Sequence, residues 1–130
     1  MNRIEKSHEF HGKGFNCAQS VVLAYHDLFD IDLKTAIRAS EAFGAGMGGR
    51  ETTCGALSGA VMLAGLKHSD GNADAPASKM TTYSAAAQIV EEFKKRCGDI
   101  NCCDIKVNNR VTCGECITCG AELVEEFLLK

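Results

Sequence analysis

Tryptophan is absent from this chain of 130 residues, tyrosine occurs twice and proline once. With so few aromatics there is little to stack bases. Fourteen Lys plus Arg against seventeen Asp plus Glu give a net charge of −3, with no basic stripe along the sequence. These features exclude nucleic acid as a partner. Long apolar runs are also missing: charged or polar residues interrupt every candidate before the ~18 residues that a membrane-spanning helix needs. The opening segment, MNRIEKSHEFHGKG, has no apolar core of the kind a secretory signal carries, so the reading is a soluble, cytoplasmic protein. No internal repeat or low-complexity stretch interrupts the chain, and its length fits one domain, residues 1–130.

Sustained strand-like alternation is lacking too. The periodicity is helical almost throughout, which predicts an all-α domain of about six helices. The first covers about residues 2–11. Asn16 caps a second, with Ala18, Val21, Val22, Tyr25 and Phe29 on one face. Asp32 caps a third, carrying Leu33, Ala36, Ile37, Ser40 and Phe43 and ended by Gly44. A fourth follows the glycine run, at about Thr53–Leu66. Pro76 falls in the first turn of a long fifth, whose stripe is Tyr83, Ala86, Ala87, Val90, Phe93 and Cys97. Between Gly98 and Thr118 no period holds, and a last helix covers about Cys119–Leu129. In the fourth helix Gly55 and Gly59 share a face. Each costs about 1 kcal/mol relative to alanine, a cost that close approach by another backbone would offset, so this helix is expected to be central.

What the chain has in abundance is cysteine. Its eight fall short of the roughly 8–10% typical of disulfide-built secreted scaffolds, and a globule of this length does not depend on covalent staples. In a reducing compartment clustered cysteines point to metal or thiol chemistry. Cys17 follows the cap Asn16, Cys54 follows Thr52 and Thr53, and Cys119 follows Thr118, so each is expected in the first turn of a helix. Unpaired N–H groups and the helix dipole stabilise a thiolate there. The glycines before Cys54 expose further backbone N–H groups, a nest for an anion or a cluster sulfide, so Gly46, Gly48, Gly49 and Gly55 are candidate cofactor-binding positions. The competing reading of each cysteine is a small buried side chain, and for Cys97, on its helix stripe, that reading is preferred.

CGECITC spells CxxCxxC at Cys113, Cys116 and Cys119, like three ligands of a bacterial ferredoxin run, but the fourth cysteine and its proline are missing. A CxxC pair serves zinc or a dithiol equally well. Gly44, Gly46 and Gly49 spell GxGxxG after a helical rather than a strand segment, which argues against a dinucleotide fold. His8 and His11 could share a helix face, with a solvated polar face as the plainer reading. No CxxCH occurs, which excludes covalent haem.

The segments NCAQSV at Cys17, FGAGMGGRETTCGALSGAVMLAGL at Cys54 and FKKRCGDINC at Cys102, with a cysteine ahead of the last helix, together resemble the C_GCAxxG_C_C family of redox-active proteins. The resemblance covers nearly the whole chain. It implies a small helical domain with four key cysteines: Cys17, Cys54, Cys102 and one near the last helix, where Cys116 and Cys119 both align. A related domain of split-Soret cytochrome c carries an iron–sulfur cluster beside its haems. Lacking haem attachment, this chain could share only the cluster. Extra cysteines at 97, 103, 113 and 116 depart from the four-cysteine pattern and leave room for a second metal site or a thiol relay.

The combined expectation is convergence of Cys17, Cys54, Cys102 and Cys119 as catalytic and metal-binding residues. Four thiolates at one point repel unless a cation compensates. An iron–sulfur cluster in electron transfer is the first reading. The alternatives are a metal-free thiol–disulfide redox protein and a zinc-stabilised, non-catalytic interaction domain. A redox partner protein is implied but not identified, and enzymatic activity and homo-oligomerisation stay open.

Overall fold

The computed structural model describes all 130 residues. It contains seven α-helices and no strand: α1 (Arg3–Gly12), α2 (Cys17–Tyr25), α3 (Leu33–Glu41), α4 (Gly55–His68), α5 (Lys79–Cys97), α6 (Cys102–Asn108) and α7 (Cys113–Leu128). A 3₁₀ turn, His26–Phe29, follows α2, and a π turn, Gly46–Arg50, precedes α4. No helix is long and apolar enough to cross a membrane.

The helix starts follow local chemistry. Asn2 and Asn16 each accept from the backbone N–H three residues on, while Glu5 and Gln19 reach back to the cap N–H; these are reciprocal capping boxes. Asp32 caps α3 through the Thr35 N–H at 3.0 Å. The expected stripe of Ala18, Val21, Val22, Tyr25 and Phe29 is buried, but so is every other residue of α2 from Ala18 to Tyr25, so the helix is enclosed on all sides rather than along one face.

Helix α4 occupies the centre and packs against α2, α5 and α7. Its residues from Gly55 to Ala60 are all buried. A Cβ on Gly59 would lie 2.8 Å from the Ala18 carbonyl oxygen, and one on Gly55 would lie 3.1 Å from the Ala18 nitrogen and 3.2 Å from the Phe43 oxygen. The two glycines are therefore the contact by which α2 crosses α4, and this backbone approach offsets their poor helix propensity. On the opposite side Gly120 of α7 serves likewise, since a Cβ there would meet the Ala56 carbonyl oxygen at 2.8 Å.

Several expected boundaries shift. Helix α3 stops at Glu41, before Gly44. Pro76 lies in the loop ahead of α5, which begins at Lys79. The buried stripe of α5 runs through Ile89, Phe93 and Cys97, whereas Tyr83 and Ala87 are exposed. The largest change is C-terminal. The segment read as aperiodic folds into α6 and the first turns of α7, because Thr112 and Glu115 form a third capping box, with the Glu115 N–H donating to Thr112 Oγ1 at 3.1 Å and the Thr112 N–H to Glu115 Oε1 at 3.2 Å. The last helix thus opens at Cys113, two turns earlier than Thr118 as a cap would imply.

Candidate functional site

Four helices begin around one cavity of about 210 Å³, and each begins with cysteine. Cys17 is the first residue of α2, Cys102 of α6 and Cys113 of α7, while Cys54 is the residue that caps α4. All four line the cavity, together with Cys116 one turn further along α7.

Different local devices bring these cysteines together. The capping boxes at Asn16 and Thr112 place Cys17 and Cys113. Cys54 and Cys102 are joined by an isolated antiparallel bridge between Thr53 and Asn101, in which the Cys54 N–H donates to the Ile100 oxygen at 2.7 Å and the Cys102 N–H to the Thr52 oxygen at 2.8 Å. The glycine run closes over this bridge. Thr52 Oγ1 donates to the Gly46 oxygen at 2.9 Å. Gly46 has φ +59°, and a Cβ there would stand 2.8 Å from Cys102 Cβ and 2.9 Å from the Thr52 oxygen. Only glycine meets both conditions. Asn16 ties α2 to the end of α3 by donating from Nδ2 to the Glu41 oxygen at 2.8 Å.

Cations surround the thiols. Arg50 and Lys106 line the cavity, as does His11. Lys106 is held above its ordinary pKa, first by hydrogen bonding with the Cys113 thiol and then by the charges of Cys113, Cys102 and Cys17. The two thiols at the starts of α2 and α4 differ sharply. Cys54 is pulled down to about 7, first by a hydrogen bond from the Cys116 thiol and then by the Ala56 and Leu57 N–H groups, although neither N–H makes a regular cap bond to it. Cys17 is pushed up to about 12 by burial and by the nearby charges of Cys113 and Cys54. Helix position alone does not decide thiolate stability here. Cys54 has a donor beside it, and Cys17 has competing sulfurs.

Cys119, expected with Cys17, Cys54 and Cys102, does not line this cavity. With α7 starting at Cys113, residue 119 falls in the second turn, where hydrogen bonding with Cys97 of α5 and burial raise its pKa. Cys97 is a core residue, 3% exposed, as its stripe suggested. It also has thiol neighbours: Cys116 and Cys119 both donate to it and favour its thiolate, while burial opposes that effect. The same contacts, made with Cys54 and Cys97, raise the pKa of Cys116 strongly. Cys103 points outward and is exposed.

Of the candidate glycines, Gly46 and Gly55 line the cavity. Gly48 and Gly49 do not: both are exposed on the outside of the π turn. The GxGxxG run follows α3 and forms this turn, with no strand before it. His8 and His11 separate as well, since His8 Nε2 meets Thr118 Oγ1 at 2.7 Å whereas His11 reaches the cavity. Cys113 was not among the expected site residues, and Cys116 was only the alternative to Cys119, yet both line the cavity. The signal that would have found them was the Thr-x-x-Glu box at 112–115, ahead of an apolar helix face.

No three His, Cys, Asp or Glu side chains gather closely enough to hold a single metal ion. Five cysteines instead line one cavity. No curated protein and no solved structure matches the chain. A family profile does match, over residues 15–127, and with its clustered cysteines the chain belongs to the C_GCAxxG_C_C family, described as "Putative redox-active protein".

Proposed function

We propose that the cavity holds an iron–sulfur cluster on Cys17, Cys54, Cys102 and Cys113 and that the protein works in electron transfer. One observation carries this reading: four thiols at the starts of four different helices face one cavity. Soft thiolate donors select thiophilic metals and iron–sulfur clusters. Helix N-termini, with Arg50 and Lys106 beside them, favour the negative charge that such a ligand set accumulates. Several cysteines line one cavity while no three metal-binding side chains gather closely enough for one ion, which weighs against a lone zinc and suits a larger group. When bound, the cluster supplies reversible electron transfer. The chain's own contribution is to fix the four sulfurs on rigid helix starts, to keep Gly46 clear of Cys102, and to shield the inner wall with the buried side chains of Ile105 and Cys116.

A second reading, thiol–disulfide exchange without metal, is favoured by one specific observation: Cys54 and Cys116 line the same cavity, and Cys116 draws the Cys54 pKa down to about 7, which makes Cys54 a ready nucleophile at neutral pH. Anaerobic purification with iron, zinc and acid-labile sulfide analysis separates the two. Visible absorption with matching iron and sulfide supports the cluster. Colourless protein without either metal, but with a reversible disulfide, supports exchange and overturns the cluster reading.

A further inference from the structure

The mouth of the cysteine cavity carries charge of one sign. Besides the thiols, the ionisable residues that line it are His11, Arg50 and Lys106, with no Asp or Glu among them, although the chain as a whole carries −3. Arg50 and Lys106 are exposed, whereas Cys54 and Cys102 on the inner wall are buried. Neither cation is paired with a carboxylate. Arg3, Lys13, Lys95 and Arg96 make the ion pairs of the fold, and Glu51 and Asp104, the acids nearest in sequence to Arg50 and Lys106, pair with neither. The two cations stand on elements that pack against each other, the π turn and α6. Arg50 has φ +65°, a left-handed backbone that favours glycine; this glycine-rich turn keeps an arginine there all the same. The turn is otherwise low. Ala45, Gly48 and Gly49 are exposed, and a Cβ added at Gly48 or Gly49 would meet nothing within 4 Å. Beside the two cations the surface therefore presents backbone and small side chains, over which another macromolecule can come close.

We propose that this mouth is the docking surface for an acidic redox protein, one that presents carboxylates around its own one-electron centre and seats them on Arg50 and Lys106. The proposal deepens the electron-transfer reading and rests on it for the purpose of the docking. One electron passes from the bound group to the partner's centre, with no bond made or broken and no proton moved. A cluster on four thiolates is itself negative, but the starts of α2, α4 and α7 offset that charge from inside, so the exposed side chains of Arg50 and Lys106 are free to face outward. Electron transfer slows steeply with distance, and the low rim of the π turn lets the two centres approach. The net negative charge elsewhere on the chain sharpens the orientation, because an acidic partner is repelled from other faces and attracted only here. Charge complementarity of this kind governs encounter rate and register more than affinity, as a short-lived electron-transfer complex requires.

The test uses the full chain, purified anaerobically, and two one-electron acceptors of opposite charge: plastocyanin, which is acidic, and cytochrome c, which is basic. Carbodiimide joins a lysine amine to a carboxylate only where the two touch, and peptide mapping should find plastocyanin on Lys106 and not on Lys34, which is exposed and unpaired on α3. This readout does not depend on a cluster. In stopped-flow mixing with the reduced, loaded protein, the plastocyanin rate should fall about tenfold as ionic strength rises from ~10 to ~200 mM. Arg50→Glu combined with Lys106→Glu should lower the ratio of the plastocyanin rate to the cytochrome c rate by about tenfold or more, while Lys34→Glu leaves that ratio unchanged. Lower loading or a shifted potential moves both rates together, so the ratio isolates docking. Arg50→Gln with Lys106→Gln, which only removes charge, should give an intermediate ratio and serves if the reversed pair loses its helical spectrum. Colourless protein without iron or sulfide overturns the electron-transfer reading, and the crosslink map then decides the docking by itself. Crosslinks confined to lysines that do not line the cavity, or a ratio that the mouth variants leave unchanged, overturn the docking while a loaded cluster still stands.

Discussion

Replacing Gly59 by alanine tests the packing that brings the helix starts together. Two effects oppose each other. Alanine is better than glycine in a helix interior by about 1 kcal/mol. Against this, the new Cβ would stand 2.8 Å from the Ala18 carbonyl oxygen and 3.3 Å from its Cα. That neighbour is backbone in the first turn of α2, held by the Asn16 box, so relief requires moving the helix that carries Cys17. Overpacking of this kind costs about 1–3 kcal/mol, and because no flexible side chain can yield, the upper part of that range applies. The net loss should be about 1–2 kcal/mol, which for a domain of this size lowers Tm by roughly 3–10 °C. Gly65 in the same helix is the internal control, since a Cβ there meets nothing within 4 Å. Gly65→Ala should raise stability by about 0.5–1 kcal/mol through propensity alone. Urea titration followed by far-UV circular dichroism measures both, with an unchanged slope certifying that the transition itself is the same. If Gly59→Ala stabilises as much as Gly65→Ala, α2 does not rest on α4 at this point and the placement of Cys17 beside Cys54 loses its support.

The remaining predictions concern the cavity. Cys54→Ser and Cys113→Ser should each abolish bound iron and sulfide while keeping helical content, whereas Cys119→Ser should retain both; equal loss in all three would return Cys119 to the ligand set. Gly46→Ala, at φ +59° and 2.8 Å from Cys102 Cβ, should displace the start of α6 and lower iron per protein at least several-fold; full loading would show that the π turn yields freely. In reduced, metal-free protein the alkylation rate of Cys54 should rise through about pH 7 and then level, because its pKa lies below the ordinary 9.0. Cys17, pushed the other way to about 12, should stay slow throughout this range although it lines the same cavity. Peptide-resolved alkylation across pH checks the order, and a faster Cys17 would contradict it. The sign of the linkage is that ionised Cys54 stabilises the fold fully above pH 9 and loses that contribution as pH falls through about 7.

Much of the domain is written in short-range sequence. Asn16 and Asp32 announce their helices because a cap needs only a side-chain oxygen and the N–H groups two or three residues on. Gly55 and Gly59 mark a crowded helix because their propensity cost requires compensation. Thr112 and Glu115 carry the same kind of message, but the CxxCxxC run that follows them offered Thr118 as a rival cap, and the helix start was placed two turns too late. Cys119, set against Cys116 as the fourth cysteine, was expected at a helix start for the same reason, whereas α7 brings Cys113 and Cys116 to the cavity. Other features belong to the tertiary structure alone. Cys54 and Cys102 meet through a bridge of two backbone hydrogen bonds between Thr53 and Asn101, and backbone pairing of isolated residues leaves no side-chain pattern to read. Exposure of Gly48 and Gly49 beside buried Gly46 depends on which side of a turn faces the cavity. Periodicity reports that a helix has an apolar face but not what lies opposite, so it could place Cys97 in the core without revealing Cys116 and Cys119 against it. A thiol is at home both in a core and in a ligand set. The sequence therefore determined that cysteines would stand at helix starts, and only the packing of α2, α6 and α7 about the first turn of α4 decided which of them share a cavity.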